Sequence, residues 1–161
     1  MKCVATRNRR TNTRLSAVLS LGLLLLLSAC GGPKTGAEEQ LRQWVSAAQA
    51  AAEAKERRAL VAMISPAYED AKSYDRDDIE KMLRAYFFRQ SNIKLLTSIQ
   101  EIRVFGNSAA EIDLTIAMAG TNNGVLGFSA DAYRFQLELI LDGDDWLLIS
   151  ARWGELGEEI Q

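Results

Sequence analysis

The stretch "DDIEKMLRAYFFRQ", residues 77–90, decides the fold, because the chain changes its period there. Ile79, Met82, Leu83, Tyr86 and Phe87 recur at intervals of three and four, the spacing of one helix face. Asp75 stands just before the run as an N-cap, and Asp77, Asp78 and Glu80 lie where a helix dipole is positive. The spacing predicts a helix beginning near Asp75 that buries the apolar set. After Asn92 the period drops to two, which predicts strands at 95–105, 109–119, 132–141 and 146–153. In the second, Ile112, Leu114, Ile116 and Met118 alternate with Glu111, Asp113, Thr115 and Ala117. In the third, Phe135, Leu137, Leu139 and Leu141 alternate with Arg134, Gln136 and Glu138. Such alternation marks antiparallel strands with one face on a core and one in water. Asp142-Gly143-Asp144-Asp145 reads as the turn of a hairpin joining strands three and four. Strand four is apolar on both faces (Trp146 and Leu148; Leu147, Ile149 and Trp153), as expected of a central or covered strand.

Upstream, Leu41, Trp44, Val45, Ala48 and Ala52 form one helical stripe. Leu60, Val61, Met63 and Ile64 predict a short second helix, stopped at Ser65-Pro66 because proline disfavours helical geometry in the residue before it. Helices followed by consecutive strands make an α+β domain, with N-terminal helices packed on a curved antiparallel sheet of about four strands. The helix at 77–90 and the closing "DGDDWLLISARW" at 142–153 resemble the nuclear transport factor 2-like superfamily, over most of 38–153. The resemblance implies helices wrapped by the sheet into a cone. A cystatin-like sheet with one main helix is the nearest alternative, since three helices depend on the break at Pro66.

The N-terminus reads differently. Lys2, Arg7, Arg9, Arg10 and Arg14 precede an apolar or small-residue run at 15–28, with no acid before Glu38. That is the pattern of a secretory signal over residues 1–29, and it is shorter than the ~20 apolar residues of a spanning helix. Leu27-Ser28-Ala29-Cys30 resembles the bacterial lipoprotein box. The resemblance implies diacylglycerol on the Cys30 sulfur, cleavage just before it, and acylation of the new amino terminus. Anchoring to the bilayer would then be firm, because two or three acyl chains hold where one binds reversibly. The alternative is a free or disulfide-bonded thiol, but Cys3 lies in the segment that would be removed. Gly31 after the cysteine implies, by resemblance to Gram-negative sorting, the outer membrane with the domain facing the periplasm. Residues 30–36 then form the lipidated cysteine and a Gly/Pro tether, and 37–161 the domain. Of 19 basic and 21 acidic residues, five basic ones fall in the first 29 positions. What remains carries 14 against 21, a net charge of −7, which argues against nucleic acid as a partner.

The chain has no histidine, which excludes serine–histidine triads, cysteine–histidine pairs and histidine metal sites. The acidic run from Glu69 to Glu80 lacks the alternating oxygen donors of a calcium loop, and Gly120-Thr121-Asn122-Asn123-Gly124 leads into no helix that could cradle phosphate. No metal or cofactor is expected. Asp113 can be read in two ways. On a solvated face it would pair with Arg134 or Arg103; in an apolar pocket it could shuttle a proton beside Tyr68, Tyr86 or Tyr133. Ketosteroid isomerases of the resembled superfamily use such an Asp/Tyr pair. If the cone is not filled, Trp44, Tyr86, Asp113 and Trp153 are the expected lining of a small-ligand pocket. The leading expectation is a non-enzymatic binding or protein-interaction module. A small apolar ligand, an envelope protein, or a second copy across the sheet would be its partner. The rival is a small isomerase or dehydratase.

Overall fold

The computed structural model describes residues 36–122 and 128–158. The segment expected to be a signal, Cys30, most of the expected tether and the Asn123-Gly124 turn signal lie outside the described residues. Three helices, α1 (Ala37–Glu53), α2 (Arg57–Ala62) and α3 (Arg76–Arg89), precede four strands, β1 (Gln90–Phe105), β2 (Ala109–Asn122), β3 (Phe128–Asp142) and β4 (Asp145–Glu155). The strands form one antiparallel sheet in the order β1-β2-β3-β4.

Register explains the core. Ile102, Ile112, Leu137 and Ala151 stand side by side across the four strands, and so do Ile99, Leu114, Phe135 and Trp153. These rows define the inner face, against which Leu41 and Val45 of α1 pack together with Ile64 and Tyr68. Side chains alternate along each strand, so Glu111, Asp113, Arg134, Gln136 and Glu138 fall on the outer face. Gly143 takes a left-handed φ of +64° in the β3–β4 turn, a conformation that favours glycine.

Strand four is the covered strand expected rather than a central one: β4 is an edge. Its free side is covered by the segment after α2, where Ser65 donates to the Leu148 carbonyl, Leu148 to that of Met63, and Glu69 to that of Ile149. That pairing explains the apolar character of both faces of β4, and it blunts an edge otherwise open to association. The same pairing shortens α2. Ile64 leaves the helix to bridge Leu148, so the helix ends at Ala62 before proline acts. Finally, α3 has no fully buried residue. Asp75 caps it as expected, accepting from the Asp78 amide at 2.9 Å. Ile79 packs on the core, but Met82 and Phe88 are exposed. The helix is held at its start by Arg76 donating to the Val61 carbonyl and by an Arg57–Glu80 ion pair.

Candidate functional site

The inner face continues past the core toward the C-terminal end of β4, and there its side chains become aromatic. Phe135 and Trp153 are cross-strand neighbours with stacked rings, their centroids 6.5 Å apart and their planes 26° from parallel. Tyr133, two residues before Phe135, keeps to the same face, its ring 6.4 Å from that of Phe135. All three rings are half-buried. The Lys72 ammonium lies 4.8 Å from the centre of the Trp153 ring, a cation–π contact. Asp131 follows the same alternation one step further along β3 and is exposed. Desolvation raises the pKa of the Tyr133 phenol, and the charge of Asp131 raises it further, with Glu155 and Tyr86 contributing. Tyr86, on α3, is shifted up by the same two leading causes, desolvation and Asp131. One carboxylate therefore acts on two phenols at the rim of an aromatic strip.

The residues singled out from sequence separate into three places. Trp153 and Tyr86 belong to this strip and its margin. Trp44 does not. It lines a cleft of about 840 Å³ between α1, α2 and the β3–β4 turn, together with Met63 and Trp146. Alanines from two exposed helix faces form much of that cleft, which makes it a groove with little to fix a ligand's orientation. Trp146 donates there to Gln40 at 3.1 Å, while the buried Trp44 indole N–H has no hydrogen-bond partner. Asp113 is on the outer face, 2.9 Å from Arg103. Arg103 also binds Glu111 at 2.7 Å and pairs with Glu101, so three carboxylates converge on one guanidinium. This is the pairing expected of a solvated face. It places Asp113 on the far side of the sheet from Tyr86 and Tyr133.

Asp131 and Lys72 were not foreseen. The signal for Asp131 was present, since the inward series Leu137, Phe135, Tyr133 leads to it in steps of two, but the expected strand began at residue 132 and β3 begins at Phe128. Lys72 carries no sequence signal, because its position depends on a loop closing against β4. Among the described residues no cluster of acidic or cysteine side chains could hold a metal ion, and no helix is long and apolar enough to cross a membrane.

No protein-family model matches the sequence, and no curated protein resembles it. The fold does have solved counterparts. A protein with a cystatin-like fold from Caulobacter vibrioides superimposes with a TM-score of 0.61 at 14% identity, over 74% of this chain and 89% of that one. A protein of the nuclear transport factor 2-like family from Streptomyces avermitilis, proposed as a dehydratase, gives 0.65 at 12% identity over 74% and 96%. Bd1075 of Bdellovibrio bacteriovorus gives 0.62 at 13% over 72% of this chain, which spans only 40% of that longer protein. At these identities the likeness is one of fold. The described domain has the nuclear transport factor 2-like, cystatin-like architecture: helices followed by an open antiparallel sheet of four strands.

Proposed function

We propose that this chain is a lipid-anchored protein of the cell envelope whose domain binds a small, flat, apolar ligand on the inner face of its sheet. One observation carries the binding reading. Phe135 and Trp153 pack against the core and, with Tyr133, extend it as a half-buried aromatic strip with charged groups at its margins. Recognition sites for small molecules commonly combine an apolar wall with a few polar groups. Stacking on such a strip contributes through both area and ring geometry. The anchor is supported by the box ending in Cys30, the basic and apolar segments before it, and the glycine-rich tether after it. Attachment there, most simply to the outer membrane facing the periplasm, would leave the acidic domain free in solution.

The binding reading is tested with N-phenyl-1-naphthylamine, a neutral aromatic probe whose fluorescence rises in apolar sites. The protein should bind it saturably, and Trp153→Ala should weaken binding by more than about tenfold, the loss of a stacked aromatic contact. Arg152→Ala, one residue away on the outer face, should leave it unchanged. Equal affinity in all three proteins would reject the site.

A second reading is favoured by Asp131. Together with Tyr133 or Tyr86 it supplies the Asp/Tyr chemistry of an isomerase or dehydratase, relocated from Asp113. An exposed aspartate would take a proton from carbon, and a phenol would donate to the developing oxyanion. Turnover of a 3-oxo-Δ5 steroid to its conjugated enone, abolished by Asp131→Asn, would establish this reading in place of simple binding.

A further inference from the structure

Lys72 is held in place by its own loop. Asp70, buried to 6% exposure, accepts from the backbone amides of Lys72 at 2.8 Å and Tyr74 at 3.0 Å through one carboxylate oxygen. The Tyr68 hydroxyl donates to the other at 3.4 Å. Glu69 and Asp75 bridge across the base of the turn, and the Glu69 amide binds the Ile149 carbonyl of β4. Ser73 sits at φ +60°, a conformation costly for a residue with a side chain, so the turn is over-determined by these contacts. The result is a fixed backbone that carries Lys72 over Trp153. Among the described residues Lys72 forms no ion pair, although the chain from Cys30 onward bears a net charge of −7.

We infer that the flat apolar ligand of the aromatic strip carries one anionic group at its end, a carboxylate or sulfonate that meets Lys72. This rests on the reading of the strip as a binding site and adds its charge selectivity. An ammonium on the face of an indole keeps its remaining N–H donors for an acceptor. A ligand stacked along Trp153, Phe135 and Tyr133 presents its end to that ammonium. Asp131 fixes the direction. It lies four strand positions from Phe135, about 13 Å at ~3.3 Å per residue. Its charge repels an anionic group from that end, so the negative end is at Lys72 and a neutral or donor group is at Asp131.

The test compares two probes with one ring system: anionic 8-anilinonaphthalene-1-sulfonate and neutral N-phenyl-1-naphthylamine. Both are titrated against the protein, Lys72→Gln, Lys72→Arg and Trp153→Ala. Lys72→Gln should weaken the anionic probe about tenfold, the scale of one partly solvated charge contact, and leave the neutral one unchanged. Lys72→Arg should restore the anionic probe, and Trp153→Ala should weaken both. If both probes bind through Trp153 and Lys72→Gln affects neither, or both equally, charge selection is overturned while the binding site stands. If Trp153→Ala changes neither probe, the site itself fails and the inference fails with it.

Discussion

At the scale of single residues, the sheet's alternation separates two acids that look alike in sequence. Asp113 and Asp131 both lie on strands of alternating apolar residues. Asp113 points outward, where Arg103 neutralises it together with Glu111 and Glu101. Asp131 points inward and raises the pKa of Tyr86 and Tyr133. Asp131→Asn should therefore lower the pH at which these two phenols ionise, because a negative neighbour opposes a second negative charge. Tyrosinate absorbance during alkaline titration reads this directly. A curve identical to that of the unsubstituted protein would show that Asp131 does not act on them. The phase of each strand was legible from its buried partners, which is why the outward reading of Asp113 offered Arg134 or Arg103 as its partner; the structure pairs it with Arg103. Asp131 was missed because the expected strand began at residue 132, whereas β3 begins at Phe128.

Among the elements, helix α1 is tied to β1 by one carboxylate. Glu53 accepts the Leu95 amide at 2.8 Å and the Lys94 ammonium at 3.2 Å. These bonds, the Leu95 amide foremost, hold its pKa below the ordinary 4.5. The group thus prefers to be charged in the folded state. Its contribution is complete above the unfolded pKa and is lost as pH falls through the lower folded value. Glu53→Gln should flatten the fall in melting temperature on acidification from pH 5 toward pH 3. An unchanged slope would mean that the bond contributes nothing to acid stability. Contacts of this kind are invisible to periodicity, since they join residues 42 positions apart through one side chain and one backbone amide. The covering of β4 is another: an edge strand and a central strand show the same apolar pattern when a loop supplies the missing partner. Conversely, the apolar stripe of α3 predicted more burial than the helix achieves: Met82 is exposed, and Ile79, Leu83, Tyr86 and Phe87 are only half-buried.

For the whole molecule, helices before strands were enough to set the architecture, and the solved proteins of like fold agree with it at 12% and 14% identity. Function was less legible, because this fold accommodates unrelated chemistry and the proposed site draws on two strands, a helix and a loop. The anchor is a separate proposition, written locally at residues 27–30. Cys30→Ala should move the protein from the membrane fraction of a lipoprotein-processing bacterium to the soluble fraction or leave it unprocessed. A substituted protein cleaved at the same position and still found in the membrane fraction would contradict lipidation. Binding on the inner face is read out by the map of backbone amide shifts in the protein titrated with N-phenyl-1-naphthylamine. Saturable shifts should gather at Tyr133, Phe135, Trp153 and the Lys72 turn. Shifts confined to Trp44 and the alanine-lined groove, or none at all, would contradict binding there.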